Sequence, residues 1–468
     1  MSETRGFLDG KEIELEVTDG CLQWRDVERL EQGSIDASEI ICVLPGHSSQ
    51  NGGFEILFVR ASSQPPKAAS DNESPRLGSL WASNLPQSLL SQHLCIDIPT
   101  HLKLPCSDGE ANIHIIISIL SGTKQAKSFF QNVFEPFLSR LGAINYQVHE
   151  TKSEQTILEL ARSIFLPRAR RGISQTIVLL SGDGGLVDLI RVFFTENEAA
   201  PIENPSVALI PLGTGNAMAN SIGLLSRQTF GLETLLHGVP RPLPTFVATF
   251  SPQAKYVTNE GRGREEIETS SDRRGPRIYG AVVASWGMHA ALVADSDTAE
   301  YRKFGPDRFK MAARELLFPS DGTETHRYKG TIKLTTRNGP DGEERTRTLD
   351  TTDHMYVLTT LVSMLEKGFT ISPASSPLDG RLRVVYFASM SPKEAMDLMT
   401  LAYQGGHHVY QDVVTYEEIE SIRIDFDEED EKWRRVCIDG KVVIVEQGGW
   451  VEVRKETKKV LNLIVRLP

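Results

Sequence analysis

The chain has 468 residues, with 50 basic and 62 acidic side chains and a net charge of −12, long enough for about three folded units with real cores. That acidic balance argues against a dedicated nucleic-acid binder, which carries a basic face. Apolar content of 40% with 24% charged residues is ordinary for a globular protein, and five cysteines without a C-x-x-C pair fit a reducing compartment better than a disulfide scaffold or zinc site.

In chain order, the N-terminus lacks the apolar core of a signal peptide, and Ser2 stands where myristoylation requires glycine. Residues 13–17 alternate apolar and polar, as a half-buried strand does, and 21–24, 39–44 and 54–59 continue a series of short strands. Residues 1–106 are therefore expected to form a small β-rich extension, either a binding unit or a structural one. Within it, 62–79 is too poor in large apolar residues to pack and reads as a mobile loop.

From residue 107 to 241 strands and helices alternate. Ile113 opens a nearly continuous apolar run, the pattern of a strand covered on both faces. A helical pattern follows through Phe129, Phe130, Val133, Phe134 and Phe137, then a strand at 146–149, a helix through Leu158 and Ile164, and strands at 176–180 and 207–210. This is the grammar of a doubly wound α/β domain. Residues 242–468 read as a β-rich, sandwich-like domain with strands at 330–335, 355–361, 382–387, 421–424, 436–438 and 442–445, and one amphipathic helix at 392–403. A mobile, solvent-projecting insertion is expected near 252–276, and a solvated hairpin loop at the acid run 427–431. The apolar segment 278–294 is too short to span a bilayer and reads as buried strand and turn.

Two glycine-rich turns carry the chemistry. Ser181-Gly182-Asp183-Gly184-Gly185 follows one predicted strand, and Leu212-Gly213-Thr214-Gly215-Asn216 follows the next. Such turns at helix starts bring backbone N–H groups and the helix dipole to a phosphate. One turn alone says little, because tight turns need glycine anyway. Two in consecutive βα units, one with a central aspartate, are far more specific, and neither fits the P-loop or the dinucleotide fingerprint. His289 and the pair His407-His408 lack a third ligand nearby and read as core or surface histidines, and Trp286 reads as core.

On these residues the chain resembles the diacylglycerol kinase catalytic-domain superfamily, which includes sphingosine kinases, ceramide kinases and bacterial lipid kinases. Ser181-Gly182-Asp183-Gly184 matches its G-G-D-G in the S-G-D-G form of sphingosine kinases, and 211–216 matches P-x-G-[TS]-G-N. Ser121-Gly122, Glu150-Thr151, Trp286-Gly287, the E-Y-R-K-F-G run from Glu300, Arg308-Phe309, the D-G-R-L run from Asp379 and Asp439-Gly440 follow in family order, over 112–456.

The resemblance implies an ATP- and Mg²⁺-dependent lipid kinase acting on a hydroxyl of a sphingoid long-chain base, with diacylglycerol or ceramide as alternative acceptors and a lipid- or nucleotide-binding pseudokinase as a reading of another class. It implies Asp183 as general base or as a group helping to hold Mg²⁺. It also implies nucleotide contacts from Ser118, Ser121, Gly122, Thr151, Ser181, Gly182, Gly184, Gly185, Gly213, Thr214, Gly215, Asn216, Arg302, Arg308, Asp439 and Gly440. Thr151 reads equally as a helix N-cap, whereas the two arginines read more readily as phosphate contacts than as solvated side chains.

Three departures stand out: Ser118-Ile119 replaces Asn-Pro, Lys441 replaces a glutamate, and the headgroup aspartate of sphingosine kinases falls on Val293, leaving Asp295 or Asp297 to take that role. Segments 278–293 and 355–369 are the expected walls of an acyl tunnel. A cytoplasmic protein in transient peripheral contact with membranes, and without a nucleic-acid partner, is the expectation.

Overall fold

The computed structural model describes residues 4–8, 11–18, 21–26, 32–46, 53–60, 74–119, 122, 124–142, 144–196, 201–268, 275–305, 307–337 and 342–466. The first unit is a seven-stranded antiparallel sheet with Thr4–Leu8 and Arg76–Ala82 at its centre. One face packs Ile13, Leu15, Ile56 and Leu80 against Leu89 of the helix Gln87–His93. The strands Ile40–Pro45 and Phe54–Arg60 also send Ile41, Leu57 and Val59 into a cluster with Phe129 and Phe134 of the next unit. Arg76–Ala82 is a strand, so the loop expected over 62–79 ends by residue 76; its stretch 62–73 lies outside the described residues.

The second unit is an α/β unit built on a six-stranded sheet. Gln147–Glu150, Ile113–Ile117, Thr176–Ser181 and Ser206–Pro211 run parallel in that order, and every residue of the Ile113–Ile117 and Thr176–Ser181 strands is buried. Helices cover both faces, as continuous apolar strands require. Residues 156–170 and the helix Asp183–Thr195 pack on Ile177 and Leu179; 126–141 and the helix Leu232–His237 pack on Val178 and Leu180. Helices 126–141 and 156–170 each widen into one π turn just before a proline, Pro136 or Pro167. The wider turn accommodates a residue that has no N–H to donate.

The rest is β-rich, a branched fourteen-stranded sheet among the described residues. Trp286 is fully buried in its core, as expected, and its indole N–H donates to Trp433 O at 2.8 Å. Several expectations need correction here. Lys255–Thr258 and Gly263–Glu266 form a hairpin added to this sheet, with Tyr256 buried, so the insertion expected near 252–276 is largely ordered structure; 269–274 lies outside the described residues. Of the segment read as strand and turn, Met288–Ser296 is a helix. In the acid run, Glu428 is buried and accepts from Lys329 N at 2.7 Å rather than facing solvent. The last strand, Asn462–Val465, leaves the β-rich unit and pairs in parallel with Ser206–Pro211. Its Leu463, Ile464 and Val465 are all buried, which only a strand covered on both faces achieves. The β-rich unit is thus anchored to the α/β sheet through the final turn of chain.

Candidate active site

The site begins with strand register. Thr176–Ser181 and Ser206–Pro211 align so that Ser181 faces Pro211, and both glycine turns leave the sheet side by side. They touch backbone to backbone: a Cβ on Gly213 would lie 2.3 Å from Gly182 Cα, and one on Gly122 would lie 2.2 Å from Leu212 O. Gly122 has φ +55°, a conformation glycine tolerates. Asn216, itself at φ +50°, closes the second turn by donating from Nδ2 to Gly213 O at 2.8 Å and accepting from Gly213 N at 3.2 Å. By contrast, Cβ atoms on Gly184 and Gly215 would meet nothing within 4 Å, so these two face open space.

That space is a polar cleft of about 840 Å³ between the α/β sheet and the β-rich unit. Of the expected nucleotide residues, Ser118, Gly122, Thr151, Ser181, Gly182, Gly184, Gly185, Gly213, Thr214, Gly215, Asn216, Arg302, Arg308 and Gly440 line it; Ser121 lies outside the described residues. Thr151 is not a helix cap: its Oγ1 accepts from Ile119 N at 3.3 Å, bracing the turn that lacks the family's proline. Opposite the glycine turns stand the hairpin residues Tyr256 to Gly261 and two cations, Arg435 and Lys441. Arg308 Nε and Arg435 Nη2 are buried and have no partner among the described residues. Buried guanidinium donors left unbonded are costly unless an anion meets them.

Asp183 starts the helix Asp183–Thr195, and its carboxylate accepts from Ala217 N at 2.5 Å and Met218 N at 3.3 Å. It keeps some accessible surface because it lines open space, yet protein surrounds it. Burial pushes its carboxyl up to about 6, against the pull of those two amides. Behind it opens a second, mostly apolar cavity of about 330 Å³. Met288, Leu292 and Val293 line it from one helix, Met396 and Met399 from another, with Leu365 and Phe369 between. Both segments expected to wall an apolar tunnel contribute. Asp183, Gly215, Asp297, Arg308 and Gly440 line the cleft and the cavity alike, so the carboxylate sits at the opening between them.

Four sequence readings change with this geometry. Asp439, expected at the nucleotide, lines the apolar cavity instead. Its carboxylate is consumed by the N–H groups of Ala281, Val282 and Val283 at 2.7, 3.0 and 2.6 Å, and burial, with the Asp183 charge nearby, lifts it to about 7. Asp295 lines neither space; it pairs with Arg435 at 2.7 Å. Asp297 does line the cavity but is shared between Arg302 at 3.0 Å and Arg308 at 3.6 Å. His289, read as a core or surface histidine, lines the cavity wall, its Nδ1 2.7 Å from Ser285 Oγ. Arg435 and Asp188 at the cleft carried no local signal: each gains its place only through folding.

The cleft lined by the two glycine turns thus opens past one carboxylate into an apolar pocket. Residues 112–247 match the diacylglycerol kinase catalytic domain. The chain is similar to Sphingosine kinase 1 of Arabidopsis thaliana, 21% identical over 244 residues, covering 50% of this chain and 44% of that protein. Sphingosine kinase B of Dictyostelium discoideum is 29% identical over 131 residues, covering 28% of this chain and 16% of that one. The chain thus spans less than half the length of these curated relatives. The crystal structure of a diacylglycerol kinase from Bacillus anthracis str. Sterne is 12% identical, with a TM-score of 0.44, covering 77% of this chain and 98% of that one.

Proposed function

We propose that this protein is an ATP-dependent lipid kinase that transfers the γ-phosphate to the primary hydroxyl of a sphingoid long-chain base. The observation that carries the reading is the position of Asp183 at the junction of the polar cleft and the apolar cavity. A lipid hydroxyl entering from the cavity meets the carboxylate as the triphosphate lies over the glycine turns. With a carboxyl near 6, Asp183 is mostly ionised at neutral pH and accepts the hydroxyl proton. Arg308 and Arg435 line the cleft as cations able to meet phosphate oxygens, so transfer is helped by positioned charge. Among the described residues no three His, Cys, Asp or Glu side chains group as a metal site. Magnesium would be carried mainly by the phosphates, with Asp183 the carboxylate placed to help hold it, and would neutralise their charge.

The two sphingosine kinase relatives support the long-chain base. A diacylglycerol or ceramide acceptor is favoured by a different observation: Asp295 and Asp297, the acids expected to meet a cationic headgroup, are both paired with arginines. In this reading 107–241 holds the nucleotide, 242–468 supplies the acceptor wall and lends its last strand back, and 1–106 braces the helix 126–141. The enzyme meets its acceptor at a membrane surface from the cytoplasm. Labelled-phosphate transfer to sphinganine, ceramide and diacylglycerol, with wild type and Asp183→Asn, tests this. Transfer to a base that the variant loses supports it. No transfer by folded wild type to any acceptor would overturn it in favour of a pseudokinase.

A further inference from the structure

Asp297 lines both the polar cleft and the apolar cavity, and one of its oxygens holds two cations. Arg302 reaches Oδ1 with Nε and Nη2, each at 3.0 Å, and Arg308 Nη1 lies 3.6 Å from the same oxygen. All three residues line the cleft beside the glycine turns, so the guanidiniums border the space a triphosphate would fill. Their hold on Asp297 is loose. The Arg302 and Asp297 side chains are 49% and 46% exposed, and ion pairs this wet are worth about 0–1 kcal/mol each. A triphosphate brings several charges and many oxygens to planar donors, and so outbids a single carboxylate oxygen. The backbone makes that loss felt. Asp297 caps the C-terminus of the nine-residue helix Met288–Ser296, its N–H donating to Ala294 O at 3.4 Å. A helix end of that sign disfavours a carboxylate unless a cation stands by. The same helix walls the apolar cavity with Met288, Leu292 and Val293, so a replacement cation has a route from the acceptor side. Asp295 offers no such link, because it lines neither space.

We infer that Asp297 is a nucleotide-dependent specificity residue: a bound triphosphate takes Arg302 and Arg308 from it, and the released carboxylate then holds an ammonium group of the acceptor. The inference rests on the lipid-kinase reading of the two spaces. It couples them, so that nucleotide favours a cationic acceptor and does nothing for a neutral one. On this account the arginine pairs at Asp297 are compatible with a cationic headgroup.

The test measures equilibrium binding of sphinganine and of N-acetylsphinganine, which lacks the amine charge, with and without Mg²⁺ and β,γ-imido-ATP. Wild type, Asp297→Asn and Arg302→Gln are compared, and the analogue is also titrated alone. Wild type is expected to bind sphinganine about threefold to thirtyfold more tightly with the analogue, the worth of one or two half-exposed ion pairs. N-acetylsphinganine should bind equally in both conditions. By linkage, sphinganine tightens the analogue by the same factor. Asp297→Asn loses this coupling and binds the analogue alone more tightly than wild type, because nothing competes for the arginines. Arg302→Gln, altered at a half-exposed position, binds sphinganine more tightly than wild type when no analogue is present. Coupling that persists in Asp297→Asn would come from phosphate attracting the ammonium directly, and overturns the inference. So does coupling shared by the neutral lipid, a wild type without coupling, or weaker analogue binding by Asp297→Asn, the mark of a magnesium ligand. Coupling lost in Asp297→Asn, with no phosphate transferred from ATP to any lipid, keeps the inference and overturns the kinase reading. If wild type does not bind the analogue, both fall.

Discussion

Lys441 Nζ donates to Asp188 Oδ1 at 2.6 Å, tying the β-rich unit to the helix that begins at Asp183. The lysine stands where the family motif has a glutamate, and Asp188 on the facing wall answers the inverted charge. Only 13% of the Asp188 side chain and 31% of Lys441 are exposed, so the pair is partly desolvated. Lys441→Met leaves a mostly buried carboxylate unpaired, with an expected loss of about 1–2 kcal/mol, less than for a fully buried pair. Lys441→Met combined with Asp188→Leu is expected to recover most of that loss. Denaturant unfolding of the three variants checks the cycle.

Asp183→Asn separates catalysis from stability. Losing the base is expected to lower kcat by about 10²–10⁴ with little change in KM for ATP. Burial raises the folded-state carboxyl from 3.8 to about 6, so the folded protein binds this proton more tightly than the unfolded chain. Wild type therefore loses stability as pH rises from about 4 to 6, and the asparagine variant does not share that loss. Melting temperatures at pH 4.5 and 7.5 should show the variant gaining on wild type at the higher pH.

The same group sets the acid limb of the rate profile. With Asp183 as base and its carboxyl near 6, kcat/KM should fall tenfold per pH unit below that value and level off above it. A limb near 4, the range of an ordinary carboxyl, would mean that burial does not raise the proton acceptor in the working enzyme.

Two glycines in the turns are expected to fail differently. Gly213→Ala drives a methyl to 2.3 Å from Gly182 Cα, where backbone must move, and should cost about 1–3 kcal/mol of stability as well as nucleotide affinity. Gly184→Ala meets nothing within 4 Å and sits in the first turn of a helix, so stability should hold or rise slightly. Its methyl enters the cleft, so KM for ATP should rise. Thermal melts and ATP titrations of the two variants distinguish the cases.

The glycine turns, Asp183 and the α/β alternation were legible in the sequence because each is a short-range pattern: a buried strand, a turn that needs glycine, a helix start. The segment lining the cavity was legible for the same reason, as a run of apolar residues too short to span a membrane. What the charged residues do was not. Asp295, Asp297 and Asp439 sit in motif-like positions, but their carboxylates are claimed by Arg435, by Arg302 and Arg308, and by three backbone amides. Arg435 and Lys441 reach the cleft across more than two hundred residues of chain. Tyr256 reads as part of a polar linker until its hairpin pairs with Lys441–Ile444. Tyr356 meets the rings of Phe387 and His289 only once the strands and the helix have packed. By itself, then, the sequence determined the local backbone and the two glycine turns, because those depend on residues a few positions apart. Only the tertiary structure decided which charges are spent on one another and which polar atoms are left for a ligand, because burial and pairing are set by contacts between distant parts of the chain.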